Sequence, residues 1–320
     1  ELLTNTYELH FSLVLSPEFD ARVAGALARM RLAERRIGRS PKRIVDPRVT
    51  LHELRLRKSD DEVALLERAA AITGEAHVAA MRAARPGVRE YELQAIVEQT
   101  FRKHGAAGPG YGTIVGAGVN ATILHYVDNN AVLAAGDLVL IDAGAEFDYY
   151  TADVTRTFPC GGRFSAEKRA LYEHVLAAEE AAIDMVRPGA TIDQLHERAV
   201  AILAAAMVEL RLLDGPPADR IADGSYKRYY MHRTSHWLGM DVHDAGIYLD
   251  DDGKARLLEP GMVLTVEPGL YIPADDAKAS AELRGVGVRI EDDILVTPTG
   301  HRNLTASVPK QVDELEALTK

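Results

Sequence analysis

The sequence predicts an α+β fold built from two related halves around a pseudo-two-fold axis, and three observations carry that expectation. Helix-like and strand-like patterns come in blocks rather than in strict alternation. The tripeptide Arg-Pro-Gly occurs at 85–87 and again at 187–189, each time ahead of an amphipathic helical stretch. GDLVLIDAG from Gly136 and GMVLTVEPG from Gly261 share one pattern: a glycine, a strand, an acid six residues after that glycine, and a second glycine two further on. One such match is easily accidental. Two in the same order point to an internal duplication, with the polar stretch near 214–228 absorbing the unequal offset.

The elements follow in order. An amphipathic helix over 19–36 and a polar, proline-bearing stretch after it make residues 1–57 read as the remnant of an amino-terminal domain, ahead of a catalytic domain over 58–320. Ser59 is placed to cap a long alanine- and leucine-rich helix, with Glu62 completing a capping box and Pro86-Gly87 ending it. A second helix runs over 89–104 and closes at Gly105 after a basic last turn. Residues 137–144 predict a strand ending in an acid, and 149–158 alternate like a half-exposed strand. Helices over 166–186 and 191–210, a polar loop to 228, and strands over 262–269 and 287–297 complete the chain.

Composition narrows the function. An excess of 48 acidic over 37 basic residues, for a net charge of −11, argues against a nucleic-acid partner and suits a site that holds cations. No apolar run approaches a membrane span, so no membrane partner is expected. The single cysteine, Cys160, excludes an internal disulfide and favours a reducing, cytoplasmic setting; without a base or a ligand spacing around it, it reads as structural.

The duplication says where chemistry could sit. Asp142 and Glu267 end equivalent strands, and Asp153 and Glu291 lie on the strand that follows each. Four carboxylates converging on one point repel and would lose their charge by protonation unless cations neutralise them. Two divalent ions about 3.5–4 Å apart resolve the repulsion and form a hydrolytic centre. Oxygen-rich ligation favours Mn²⁺ or Mg²⁺, with Zn²⁺ and Co²⁺ as further occupants. The segment MHRTSHWLGMDVHD supplies three histidines, but Arg233 stands where a zincin helix needs glutamate and Gly239 interrupts the helix. IVGAGVNA imitates a dinucleotide fingerprint without a convincing helix behind it. Taken singly, each strand-end acid reads as a turn former, and His125 and Trp237 read as ordinary surface or core residues.

TIVGAGVNATILHY, GDLVLIDAGAEFDYYTADVTRTFP, MHRTSHWLGMDVHDAGIY, LEPGMVLTVEPGLYI, GVRIEDDILVT and NLTASVPK closely resemble the bacterial Xaa-Pro aminopeptidases, pita-bread metallopeptidases related to methionine aminopeptidase, from about Val49 to Leu318. The resemblance implies a curved antiparallel sheet covered by helices, and a homo-oligomer, dimer or tetramer. It implies that Asp142, Asp153, His236, Glu267 and Glu291 hold two divalent ions, typically Mn²⁺, with Asp153 and Glu291 shared between them. It implies that a metal-bridging hydroxide cleaves the first bond of peptides with proline second, and that Glu267 takes a proton. His243 would stabilise the oxyanion, His125 and His232 would bind substrate, and Tyr111 and Arg289 would orient the metal carboxylates. The related readings are a prolidase acting on dipeptides and a non-catalytic peptide-binding module of the same fold. YLDDDGKARLLEPG is more acidic than the family pattern, and its expected basic residue is either Lys254 or Arg256.

Overall fold

Ser59 begins the alanine- and leucine-rich helix as its sequence predicts: its hydroxyl accepts from the Glu62 amide while the Glu62 carboxylate accepts from the Ser59 amide. The computed structural model describes residues 6–250 and 252–320. The chain divides into two compact units, Glu1–Arg55 and Leu56–Lys320. In the first, strand β1 (Glu8–His10) pairs in parallel with β2 (Arg43–Val45), and helix α1 (Pro17–Ile37) lies between them in sequence, capped by Ser16 with proline at its first position. The polar stretch after α1 thus holds a strand that its composition hid, and α2 (Arg48–Leu56) follows.

The second unit opens with α3 (Asp60–Ala83) and α4 (Glu90–Lys103). Short strands follow: β3 (Gly108–Pro109), β4 (Ile114–Ala117), β5 (Leu138–Asp142), β6 (Ala145–Phe147), β7 (Tyr150–Thr151) and β8 (Thr155–Pro159). The helix pair α5 (Ala166–Ile183) and α6 (Ile192–Glu209) comes next, and the expected polar loop contains a short helix, α7 (Pro217–Ala222), and a 3-10 turn over Ser225–Arg228. Strands β9 (Val263–Val266), β10 (Gly269–Tyr271), β11 (Gly287–Arg289), β12 (Asp292–Thr297) and β13 (Gly300–Asn303) precede α8 (Val312–Leu318). Every strand pairing in this unit is antiparallel; β4-β5-β8 forms one three-stranded sheet and β13-β12-β9 another.

The duplication reaches down to single hydrogen bonds. Gly87 donates to the Leu133 carbonyl and Leu133 back to Val88; in the second half Gly189 donates to Leu258 and Leu258 back to Ala190. Both glycines have positive φ (93° and 85°), a conformation that favours glycine, and both precede a residue that opens a helix: Arg89 bridges Val132, and Thr191 bridges Leu257. Each half packs its own helix pair, α3 with α4 and α5 with α6, beside its own three-stranded sheet.

Two expectations need correction. Residues 149–158 are not one half-exposed strand but two, β7 and β8, buried throughout and separated at 152–154. Residues 287–297 likewise break into β11 and β12 at 290–291. The alternation over 149–158 does not mark a solvent face, because both faces of β7 and β8 are covered and their polar residues face partners rather than water. The breaks fall on Asp153 and Glu291.

Behind the breaks lies a seam closed by Arg156, which has no exposed side-chain surface. All five of its N–H groups are used: Nε donates to the Pro309 carbonyl, Nη1 to those of Thr155 and Glu291, and Nη2 to Val308 and to the Asp292 carboxylate at 2.6 Å. Lys310 joins from the other side, donating to Asp292 and Glu179. Removing one partner of such a cluster strands the remaining charge. Arg156→Met is expected to cost about 3–5 kcal/mol of unfolding free energy, measured by denaturant titration; a loss under about 1 kcal/mol would show that the seam holds without it.

Candidate active site

The two sheets bring their acids together by register. Asp142, the last residue of β5, lies opposite Thr155, the first of β8, and Asp153 sits in the break just before it. In the other half β12 opens at Asp292 opposite Val266, which places Glu291 and Glu267 at the same edge. The halves are then tied to one another: the Glu291 amide donates to the Thr155 carbonyl at 3.1 Å, the Thr155 hydroxyl to Glu291 Oε2 at 2.6 Å, and the Asp153 amide to Asp293 Oδ2 at 3.1 Å. The ten residues singled out from the sequence (Tyr111, His125, Asp142, Asp153, His232, His236, His243, Glu267, Arg289 and Glu291) all line one cavity of about 880 Å³.

Charge is crowded there. Burial and the neighbouring carboxylates push Glu291 well above the ordinary carboxylate range. Burial also raises Asp142, against the opposing pull of Arg289, and lifts Glu267 to about 7 against His236 and Arg289. Arg289 Nη2 donates to Asp142 Oδ2 at 2.5 Å, while the Tyr111 hydroxyl lies 2.6 Å from Asp142 and 2.5 Å from Asp153. His236 Nε2 stands 3.4 Å from Asp153 and 3.5 Å from Glu267. Burial alone would lower the His236 pKa; the hydrogen bond and charge of Asp153, with the charge of Glu267, overcome it and raise it to about 9.

The donor set fits a divalent cation. His236 Nδ1 faces the Trp237 carbonyl at 3.0 Å and must donate to it, so its Nε2 lone pair points among the carboxylates. Ligand atoms of Asp153, His236 and Glu291 lie within 4.8 Å of one another. A proton on His236 supplies in part the positive charge an ion would bring.

The other histidines behave differently. Burial, reinforced by Arg289, lowers His232 to about 3, so it is neutral. Its hydrogen bonds then have one direction. Arg289 donates to the Tyr271 oxygen at 3.1 Å, the Tyr271 hydroxyl to His232 Nε2 at 2.9 Å, and His232 Nδ1 to the Arg233 carbonyl at 2.8 Å. Burial also lowers His243, whose ring meets that of His236 edge-on at 4.4 Å between centroids. His125 is exposed at the cavity's edge.

Sequence reasoning passed over three participants: Tyr271, Thr155 and Asp293. Thr155 lies two residues after Asp153 and Asp293 two after Glu291, a period-2 relation that could have flagged both. Of the two basic candidates near 254, Arg256 lines the cavity, whereas the Lys254 side chain is exposed beside Asp252. Trp237 is fully buried, as a core reading expects, yet its ring also borders the cavity and stacks on Tyr248.

The profile of metallopeptidase family M24 matches residues 64–298. The chain is 47% identical over 299 residues to an Xaa-Pro aminopeptidase of Escherichia coli strain K12, covering 93% of this chain and 67% of that protein. It is 46% identical over 275 residues to the Xaa-Pro aminopeptidase of Haemophilus influenzae, covering 86% and 63%. It thus spans roughly two thirds of the length of these relatives. Among solved structures it is similar to an aminopeptidase of Pseudomonas aeruginosa, with a TM-score of 0.95 at 47% identity over 99% of this chain and 72% of that one. It is also similar to zinc-substituted E. coli aminopeptidase P in complex with product, with a TM-score of 0.94 at 44% identity over the same shares.

The raised His236 pKa has a measurable consequence. The group is charged at pH 7 without metal, and the stabilisation from that charge is fully present below about 6.5 and lost as pH rises through about 9. An ion can bind only the deprotonated ring. Metal binding at pH 7 should therefore release at least one proton, with Glu267 and Glu291 adding to that of His236, read by calorimetry in buffers of different ionisation enthalpy, and apparent affinity should rise at least about tenfold per pH unit below pH 9. Proton release near zero would remove His236 from the ligands.

Proposed function

The chain belongs to metallopeptidase family M24, and on that footing we propose that it is an Xaa-Pro aminopeptidase, releasing the first residue from peptides whose second residue is proline. The observation that carries this reading is the convergence of Asp142, Asp153, His236, Glu267 and Glu291 with three histidines in one cavity. Those five side chains would hold two divalent ions, Asp153 and Glu291 being shared. When bound, the ions supply Lewis acidity, polarising the scissile carbonyl and acidifying the attacking water. Manganese suits the oxygen-rich set. The single cysteine suits the cytoplasm, and no helix among the described residues is long and apolar enough to cross a membrane. A homo-oligomer, dimer or tetramer, belongs to the same reading.

The protein's own groups divide the work. Glu267, raised to about 7 by burial, is poised to accept the proton of the attacking water and return it to the leaving nitrogen. His243, whose pKa burial lowers, donates to the oxygen on which charge develops. His125 and His232 line the same cavity and hold the peptide beyond the scissile bond. Tyr111 and Arg289 keep Asp142 aimed into the centre. The net acidity of the site attracts the substrate's terminal ammonium, which explains cleavage from the end. Proline lacks an N–H and has a fixed φ, so selection for it must read ring shape rather than a backbone donor.

Purified protein supplied with Mn²⁺ should cut an Xaa-Pro-Xaa tripeptide faster than the matching Xaa-Pro dipeptide. The reverse order would make it a prolidase, and no cleavage together with no stoichiometric ions would make it a binding module. Asp153→Ala should lose metal and at least about a thousandfold in turnover while keeping its far-UV circular dichroism; near wild-type turnover in that variant would remove Asp153 from the centre.

A further inference from the structure

Glu90, the first residue of α4, is a carboxylate with no exposed surface and, among the described residues, no ion pair. Such a group is costly unless its lone pairs are filled, and here they are filled by one segment. Oε1 accepts from the Ala117 amide at 2.7 Å and the Asn120 amide group at 3.0 Å; Oε2 accepts from the Tyr126 hydroxyl at 2.9 Å and the Ala131 amide at 2.8 Å. The Glu90 amide in turn donates to the Ala131 carbonyl at 3.0 Å. All these partners lie in the segment 117–131 that leaves β4 and carries His125 to the cavity's edge.

Two further locks shape that segment. Asn129 is buried in a left-handed conformation (φ 45°), accepting from the Val115 amide and donating to the Thr113 carbonyl and to Gln94. Gly287 on β11 lies so close that a methyl group there would collide with the Ala121 carbonyl. The inward anchor of Tyr126 stands next in sequence to the outward His125, so the grip on one sets the direction of the other.

We propose that Glu90 is a positioning residue for His125: its buried carboxylate gathers the 117–131 segment and thereby fixes the wall of the substrate cavity from behind. The structural half of this proposal is independent of the activity; its catalytic half rests on the peptidase reading. Glu90 fits the role better than a neutral residue because a carboxylate accepts from all four donors at once, whereas an amide turns two donors of its own toward them. The loss therefore falls on the segment and not on the metal carboxylates.

The test is Glu90→Gln, compared with wild type, His125→Ala and the double variant. Amide exchange within 117–131 should quicken at least about tenfold while α5 and α6 keep their protection. KM for an Xaa-Pro-Xaa peptide should rise about tenfold with kcat within about threefold, the pattern of lost binding common to ground and transition states. In the His125→Ala background the added effect should shrink below about threefold, because both changes act on one contact. Metal stoichiometry should match wild type. Unchanged exchange in 117–131, or a KM effect of equal size with and without His125, overturns the proposal. Should Glu90→Gln fail to fold, Tyr126→Phe, which removes one of the four donors, must show the same pattern at smaller size, and its absence there overturns the proposal equally. If the wild type cuts no Xaa-Pro peptide, the peptidase reading falls, and the exchange data alone decide whether Glu90 holds the segment.

Discussion

Five carboxylates, of Asp142, Asp153, Glu267, Glu291 and Asp293, share a small buried volume, and everything around them is arranged to make that tolerable. Burial raises Glu291, Asp293 and Glu267, and no fold keeps such a cluster charged without positive partners close by. Arg289 is the fixed partner, and His236, raised to about 9, is the adjustable one. The adjustable charge suits a cation site: a proton on Nε2 and a metal ion at Nε2 would be alternative answers to one electrostatic demand.

Crowding of this kind needs a rigid frame. Each half supplies an acid at the end of a strand and an acid in a strand break. The hydrogen bonds that join Thr155 to Glu291 and Asp153 to Asp293 cross between the halves rather than within them. The repulsion is therefore borne by the seam. Arg156, saturated by five acceptors one layer behind, ties the Thr155 and Glu291 carbonyls to a single guanidinium. A lysine there would offer three donors from one point and could not span the same set.

The sequence made the duplication and the converging acids legible because both are linear patterns: repeated Arg-Pro-Gly, repeated strand-then-acid, and long family motifs. It hid the strand breaks at Asp153 and Glu291, because alternation looks the same whether a polar face meets water or a buried partner. It also hid Tyr271 and Glu90. Tyr271 matters through Arg289 and His232, each far from it in the chain. Glu90 looked ordinary, since an acid in the first turn of a helix is favoured by the helix dipole alone. What distinguishes it is the set of donors that arrive from residues 117–131, and only the fold brings those to it.

His232 and His236 show most directly why spacing does not assign a role. They stand four residues apart in one segment, and both are half-buried, a withdrawal from water that by itself lowers an imidazole pKa. For His232 the charge that counts most is Arg289, which deepens the lowering by burial to about 3 and leaves a neutral ring locked between Tyr271 and the Arg233 carbonyl. For His236 the neighbours are Asp153 and Glu267, which reverse the effect and raise it to about 9. One imidazole is thus made a neutral wall of the cavity and the other a site that must bind a proton or a cation. The difference lies in what faces each ring: the Arg289 guanidinium acts on His232, and the hydrogen bond and charge of Asp153 act on His236.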